Sequence, residues 1–385
     1  MAKRILIENA RLFLQTDTIE NGYLLIEDGK IVTISKEQID ITKNVYRIDG
    51  TGKNVLPGFI DMHIHGTKGA DVMDATETAL DTIATALPES GTTSFLATTM
   101  TASTSEIDEA LENIANYKQK NKTATLLGIH LEGPFIHRNK SGAQQADNII
   151  PGNIALFKRW QQVATGKIKL VTLAPECAED GFINYLTRSG VIASAGHTTA
   201  TFAEIKRATQ EGIRHLTHLG NAMTGLHHRD VGVVGAGFLL DALQVEIIAD
   251  YIHLAPEMLE IIVKQIGAER IILITDAMRA TSLGNGTYEF GGQEVTIRDA
   301  RATLANGVLA GSVITMIESV RNMLQIPGIT LRDIIKITAE NPAKQLHIFN
   351  DKGSIAIGRT ADLVIVDARM EITHTICQGE IAYEE

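Results

Sequence analysis

The apolar positions of the chain follow two different periods, which divide it into three stretches. Residues 1–53 and 353–385 alternate apolar and polar positions, as half-buried strands do. Within the first stretch, Asp28-Gly29 in "NGYLLIEDGKIVTI" (21–34) predicts a hairpin turn. Because both ends share this pattern around a different middle, we predict that 1–53 and 353–385 pair into one small β-sandwich domain.

The middle stretch, 54–352, alternates short β-branched runs with longer runs of helical period. Strands are expected near 55–63, 92–98, 125–131, 168–173, 191–195, 214–218, 245–250 and 271–275. Helices are expected near 77–88, 104–120, 153–164, 179–189, 200–211, 255–267, 313–325 and 331–346. The turn-rich piece 284–311 predicts an inserted hairpin.

Eight such alternations predict an α/β fold, a (β/α)8 TIM-like barrel with the small β domain attached. The alternative is an open, doubly wound sheet. No Gly-x-Gly-x-x-Gly follows a predicted strand, so the usual nucleotide site of open sheets is missing from the sequence.

Composition excludes several classes of partner. The 385 residues are 44% hydrophobic and carry a net charge of −11 with no basic block, so we expect no nucleic-acid partner. No apolar run reaches membrane-spanning length, and the N-terminus does not have the pattern of a signal peptide, so we expect no membrane association. The two cysteines, Cys177 and Cys377, have no framework spacing, which favours the reducing cytoplasm.

Candidate chemistry lies at the ends of the predicted strands. His63 and His65 in "GFIDMHIHG" are two residues apart, so in a strand both side chains project from the same face. A single His-x-His pair is a weak signal, because chance pairs and structural histidines are common. Four further strands, however, also end in a potential metal ligand: Glu132, His197, His218 and Asp276.

In a barrel, these strand ends meet at one mouth, where active sites lie. Buried imidazoles and carboxylates are costly unless they are paired or bound to a metal. The ligand types suit Zn²⁺, Fe²⁺ or Mn²⁺ better than Ca²⁺ or Mg²⁺. The sequence therefore predicts a divalent metal centre, with one or two ions per subunit.

The motifs that carry these residues resemble a known family. "LPGFIDMHIHG", "HLEGPF", "SAGHTTA", "THLGNAM", "HHRDVG", "IADYIH", "ITDAM", "LAGSVITM" and "ENPAKQLHI" are together similar to the N-acetylglucosamine-6-phosphate deacetylases of the amidohydrolase superfamily. The similarity runs over nearly the whole chain. It implies a hydrolase that removes the acetyl group from N-acetyl-D-glucosamine 6-phosphate, giving glucosamine 6-phosphate and acetate in amino-sugar catabolism.

The resemblance also implies a role for individual residues. Glu132, His197 and His218 would hold the principal metal, His63 and His65 a second one, and Asp276 would act as general acid and base. Substrate binding would involve Ala143, Gln144, Asn221, Ala222, Arg229, His253, Leu309, Ala310 and Gly311. A homodimer is implied, in which Arg229 and His253 serve the partner's site.

Gln144 departs from the pattern, because some members have a histidine there. A glutamine can donate a hydrogen bond but carries no charge and relays no proton. Two other functions stay open: another metal-dependent amidohydrolase (an N-acetylgalactosamine-6-phosphate deacetylase or a cyclic amidohydrolase), or an inactive barrel that serves as a scaffold. Filled ligand positions disfavour the scaffold.

Overall fold

The centre of the protein is a sheet of eight parallel strands that follow one another in chain order. The computed structural model describes residues 4–41 and 44–385. The strands are Phe59–Ile64, Thr92–Thr99, Thr125–Glu132, Ile168–Leu173, Ile192–Ala195, His215–Leu216, Gln244–Ile248 and Ile271–Ile274. The first and eighth strands meet at their C-terminal ends, where the Asp276 N–H donates to the carbonyl of His63 at 2.8 Å. The predicted barrel is confirmed, and it closes at its mouth.

A helix follows every barrel strand. The eight are Glu77–Ala86, Thr104–Asn116, Ile154–Val163, Phe182–Arg188, Phe202–Glu211, Gly232–Leu239, Pro256–Ile266 and Met316–Leu324. Several begin where a side chain accepts a free backbone N–H: Ser103 with Glu106 and Thr201 with Glu204 form capping boxes. These local signals explain why most helices could be predicted within a few residues.

Two helical regions differ from the prediction. The helix Gly232–Leu239 (GVVGAGFL) was not predicted, because it is apolar on all sides and contains three glycines, so it has no helical periodicity to detect. The predicted helix 331–346 is instead three consecutive pieces: Leu331–Ile335, a π-helical turn Lys336–Glu340, and Asn341–Gln345. Pro342 lies in the first turn of the third piece and cannot donate a hydrogen bond to the preceding turn, which fits the irregular helix there.

Both termini build one separate, mainly antiparallel sheet, as predicted. Its eight strands are Arg4–Phe13, Thr18–Glu27, Lys30–Ser35, Tyr46–Asp49, Asn54–Pro57, Leu363–Val366, Ile372–Cys377 and Glu380–Glu384. The hairpin turn at Asp28-Gly29 is confirmed, and both residues adopt positive φ there. The domain predicted as a sandwich is thus a single hydrogen-bonded sheet, one face of which encloses its own apolar core.

The predicted strand 55–63 is two strands in the structure. Asn54–Pro57 pairs within the terminal sheet, whereas Phe59–Ile64 begins the barrel. Gly58 separates them, and a Cβ at this position would lie 2.3 Å from the Thr93 side chain, so only glycine fits. The barrel thus begins after Gly58, and the domain division at 53/54 and 352/353 stays a prediction.

The insertion after the eighth strand covers the barrel mouth. It is a three-stranded antiparallel sheet, Gly286–Phe290, Gln293–Arg298 and Arg301–Leu304, where the sequence predicted a hairpin. Its apolar face shares a small core with Met100, Ala143 and Met278 from the mouth. Among the described residues, no helix is long and apolar enough to cross a membrane.

Candidate metal-binding and catalytic site

The strand ends bring Glu132, His197 and His218 together at the barrel mouth. Glu132 Oε1 lies 3.1 Å from His197 Nε2 and 3.2 Å from His218 Nε2, and these two nitrogens are 3.1 Å apart. All three residues are buried. The convergence that the sequence predicted for residues from three separate strands is therefore present.

A second group shares Glu132. His65 Nε2 lies 3.3 Å from both Glu132 Oε2 and Asp276 Oδ1, and His63 Nε2 lies 3.5 Å from Glu132 Oε1 and from Asp276 Oδ1. His63, His65 and Asp276 thus form a set of ligand atoms beside the first set, with Glu132 between the two.

The distribution of hydrogen-bond donors shows what these groups are built to hold. His197 Nδ1 lies 2.8 Å from the carbonyl oxygen of Lys140, so Nδ1 carries the proton of the neutral ring. Its Nε2 lone pair then faces Glu132 Oε1, which is also an acceptor. His63 repeats this arrangement, because Nδ1 faces a carboxylate of Glu246 and the buried Nε2 has no hydrogen-bond partner among the described residues. Lone pairs that converge on one point fit a cation.

Protons take the place of that cation when none is bound. Burial lowers the pKa of His65, but the carboxylates of Asp276 and Glu132 outweigh this and raise it to about 9. The same balance holds for His63. Burial disfavours its charged form, but Asp276 and Glu132 favour it, and the pKa of His63 lies well above the ordinary value. The site therefore has a strong preference for positive charge.

Three of the candidate ligands sit in a backbone conformation that is rare for their residue type. His197, His218 and Asp276 have φ values of 47°, 31° and 50°, in the left-handed region that favours glycine. Each lies just beyond its strand, so the turn aims the side chain into the mouth. Such strain costs of order 1–3 kcal/mol per residue and is typical of functional sites.

A cavity of about 320 Å³ opens over the two groups. Five of the candidate metal ligands line it: His65, Glu132, His197, His218 and Asp276. Most of the predicted substrate-binding residues line it as well, namely Ala143, Gln144, Asn221, Ala222, His253, Leu309 and Gly311. Its size suits one small molecule.

Comparison with known proteins decides the family. The Amidohydrolase family profile matches residues 54–382. The chain is 46% identical to an N-acetylglucosamine-6-phosphate deacetylase of Bacillus subtilis over 100% of its own length and 98% of the relative's. It belongs to the N-acetylglucosamine-6-phosphate deacetylase family.

Two further similarities bear on the substrate. A Mycobacterium smegmatis deacetylase of this family, solved as a mutant in complex with N-acetyl-D-glucosamine 6-phosphate, matches with a TM-score of 0.91 at 28% identity, covering 99% of each chain. The chain is also 33% identical to an N-acetylgalactosamine-6-phosphate deacetylase of Escherichia coli O157:H7, over 97% of each. The family thus includes two sugar preferences.

Not every residue implied by the deacetylase family lies in the cavity. Arg229 is exposed in the loop after Met223, its Nη1 lies 2.6 Å from His228 Nε2, and it does not line its own chain's cavity. His253 does line it, held by Asp250 at 2.7 Å, which favours a role in its own subunit. Ala310 is buried beneath the inserted sheet, and its N–H donates to Ala302.

Gln144 has a defined place in this deacetylase. Its Nε2 donates to Glu132 Oε2 at 2.7 Å, while its Oε1 accepts the N–H of Thr101 at 2.6 Å. The backbone N–H can only donate, which fixes the amide nitrogen towards Glu132. Where some deacetylases have a histidine, this chain therefore has a donor aimed at the shared carboxylate.

Sequence reasoning missed two residues at the site. Lys140 lines the cavity; its carbonyl oxygen orients His197, and its Nζ donates to Met223 at 2.9 Å. Glu246 is wholly buried behind His63. Lys140 carried no signal because it stands in a polar loop. Glu246 did carry one, as a charged residue inside the apolar strand "VEIIA".

A third cluster of potential ligands, His137, Glu176 and Cys177, does not fit a cation. His137 Nδ1 accepts the N–H of Asn139 at 3.1 Å, so Nε2 carries the proton and offers no lone pair. Both oxygens of Glu176 accept bonds from two neighbouring threonines. Burial and Glu176 raise the pKa of Cys177 to about 11, which keeps it a neutral thiol.

Proposed function

We infer that this chain is a metal-dependent deacetylase that hydrolyses N-acetyl-D-glucosamine 6-phosphate to glucosamine 6-phosphate and acetate. The observation that carries this is the convergence of four imidazole Nε2 atoms, those of His63, His65, His197 and His218, within 3.5 Å of the Glu132 carboxylate, in a chain of this family. A cyclic amidohydrolase could share the metals, but it is less supported by the relatives.

The first cation would be held by Glu132, His197 and His218, and a second by His63, His65 and Asp276, with Glu132 available to both. Imidazole and carboxylate ligands suit Zn²⁺, Fe²⁺ or Mn²⁺. A divalent ion at such a site lowers the pKa of water to about 7 and polarises a carbonyl oxygen.

Asp276 is placed to manage the protons. Burial raises its pKa, but the imidazoles of His63 and His65 outweigh this and hold it below the usual value, so the carboxylate is ionised at neutral pH. It can accept a proton from the attacking water and pass it to the departing amine nitrogen. Amide hydrolysis needs both transfers, since an unprotonated amine is a poor leaving group.

The cavity walls would hold the sugar phosphate. Asn221, the Ala222 backbone and His253 offer donors on one side, and Leu309 and Gly311 offer backbone on the other. Arg229 is exposed and outside its own chain's cavity, which supports its proposed contribution to a partner subunit in a homodimer. Its planar guanidinium is suited to bidentate contact with phosphate. We also propose a cytoplasmic location, where free Cys177 and Cys377 would stay reduced.

The test compares metal-loaded protein on four compounds, with acetate release as the readout for the three amino sugars. N-acetylglucosamine 6-phosphate should have the highest kcat/KM, followed by the galactosamine isomer, with plain N-acetylglucosamine weaker by at least tenfold. The cyclic amide hydantoin, assayed for ring opening, should not react. Equal rates on the two phosphorylated sugars would contradict the glucosamine assignment, and ring opening without deacetylation would contradict the reaction.

A further inference from the structure

Glu246 is a carboxylate sealed inside the barrel, and no lysine or arginine of the described residues forms an ion pair with it. It lies on the strand Gln244–Ile248, and its side chain is 0% exposed. Its oxygens have three polar neighbours: Oε1 lies 3.0 Å from His215 Nε2, and Oε2 lies 3.2 Å from His63 Nδ1 and 3.3 Å from the N–H of His218. A buried carboxylate is costly, so these contacts require an explanation beyond packing.

The contact with His63 determines which ring nitrogen is free. An ionised carboxylate only accepts, so Glu246 keeps the proton of His63 on Nδ1. Once a cation displaces the proton that His63 otherwise carries on Nε2, this atom would present its lone pair to the site between Glu132 and Asp276, 3.5 Å from an oxygen of each. With the opposite tautomer, Nε2 would carry a proton and could not bind a cation.

We propose that Glu246 is a positioning residue that fixes the ring and tautomer of His63 and thereby sets the affinity of the second cation. This inference rests on the proposed function, because it concerns the ion assigned there to His63, His65 and Asp276. Carboxylates that orient a metal-bound histidine typically change metal affinity 10- to 100-fold when they are replaced.

His215 anchors the carboxylate from the other side. Its Nε2 faces Glu246 Oε1, and its Nδ1 lies 3.3 Å from Gln345 Nε2, on the last piece of the broken helix. His215 therefore holds the carboxylate plane of Glu246 in place beside His63. The chain of contacts thus runs from Gln345, through His215 and Glu246, to His63 at the metal site.

The effect should fall on the second ion more than on the first. Glu246 contacts the first ligand group only through the backbone N–H of His218, and it bonds to neither the Glu132 nor the His197 side chain. His63, in contrast, has Glu246 as the hydrogen-bond partner of its Nδ1.

The experiment compares Glu246→Gln and Glu246→Leu with the wild type in the full chain. Each protein is loaded with Mn²⁺ alone, and affinity and stoichiometry are measured by metal analysis after dialysis at stepped free Mn²⁺. Electron paramagnetic resonance separates a coupled pair of ions from a single ion. His63→Asn shows the signature of losing the second ion, and Asp362→Asn, in the terminal sheet, controls for removal of a buried carboxylate elsewhere.

We expect Glu246→Gln to weaken the second ion by about tenfold and Glu246→Leu by about 100-fold, leaving a single-ion spectrum like that of His63→Asn. The glutamine retains part of the effect, because its oxygen can still accept from His63 Nδ1, although His215 must then move its proton from Nε2 to Nδ1 to accept the new NH₂ group. If the leucine variant fails to fold, the test depends on the near-isosteric glutamine variant. Its thermal unfolding midpoint then shows whether that variant is folded.

Two results would overturn the inference: wild-type affinity for both ions in both variants, or parallel loss of the two ions. A wild type that binds no ion dependent on His63 would also overturn it. In that case, acetate release by the same wild-type preparation shows whether the proposed function itself survives.

Discussion

Replacement of Asp276 by asparagine tests the proton transfers. Asparagine is nearly isosteric, and the backbone N–H of residue 276 would still donate to His63, so the barrel closure should persist. Asp276 Oδ1 lies 3.3 and 3.5 Å from the Nε2 atoms of His65 and His63. The amide is neutral and cannot accept and return a proton. General acid–base catalysis contributes 10²- to 10⁴-fold, so we expect kcat to fall by that factor, about 2.7–5.4 kcal/mol in barrier.

The assay is steady-state acetate release at saturating sugar phosphate, with metal content measured on the same sample. The ion held by Glu132, His197 and His218 should remain, and comparison with His63→Asn, which loses a ligand of the second ion but keeps Asp276, separates loss of proton transfer from loss of that ion. Asp108→Asn, on the outer helix Thr104–Asn116, is the matched control and should retain wild-type kcat. A kcat for Asp276→Asn within tenfold of wild type, at full metal content, would remove Asp276 from the mechanism.

Three further predictions concern the phosphate, the shared carboxylate and pH. Arg229→Ala should lower kcat/KM for the phosphorylated sugar about 10- to 100-fold, since a charge-assisted hydrogen bond is worth about 1.5–3 kcal/mol. It should leave kcat/KM for plain N-acetylglucosamine unaffected. Equal losses on both substrates would contradict phosphate recognition by Arg229. Gln144→Leu should lower the free energy of unfolding of the metal-free protein by about 1.5–3 kcal/mol, because Glu132 and the Thr101 N–H lose a buried hydrogen-bond partner. Urea titration measures the change, and a loss below about 0.5 kcal/mol would refute the stabilising role of Gln144. His65 has a pKa of about 9 without metal, so an ion must displace its proton at lower pH. His63, whose pKa is also raised, must lose a proton as well, so calorimetric affinity for the second ion should rise by one to about two log units per pH unit up to pH 9; a flat profile from pH 7 to 9 would contradict it.

The barrel could be predicted from the sequence because its strands and its helices differ in the spacing of their apolar residues. Buried strands such as "IILIT" and capped helices such as the one after Ser103 are local signals, and their order requires a parallel arrangement. The helix Gly232–Leu239 could not be predicted in this way, because a segment apolar on every side has no amphipathic pattern. The division of 55–63 into two strands depends on the close approach of Thr93 to Gly58, a contact between residues distant in sequence.

The ligand set could be predicted because chemically unusual residues recur at strand ends, as at Glu132 and His218. Their geometry could not: the positive φ values of His197 and Asp276 follow from tertiary contacts. Glu246 stood out only as a charged residue inside an apolar strand, and its importance depends on which imidazole nitrogen it faces. Residues that orient ligands leave a weaker trace in sequence than the ligands themselves.

The most direct test is anomalous X-ray diffraction at the absorption edge of the metal found in protein purified without chelator. The account predicts a peak within bonding distance of Glu132 Oε1, His197 Nε2 and His218 Nε2, with a further peak beside His63 and His65 when the protein is fully loaded. Catalytically active crystals in which the metal lies elsewhere, or in which these atoms touch no metal, would contradict it.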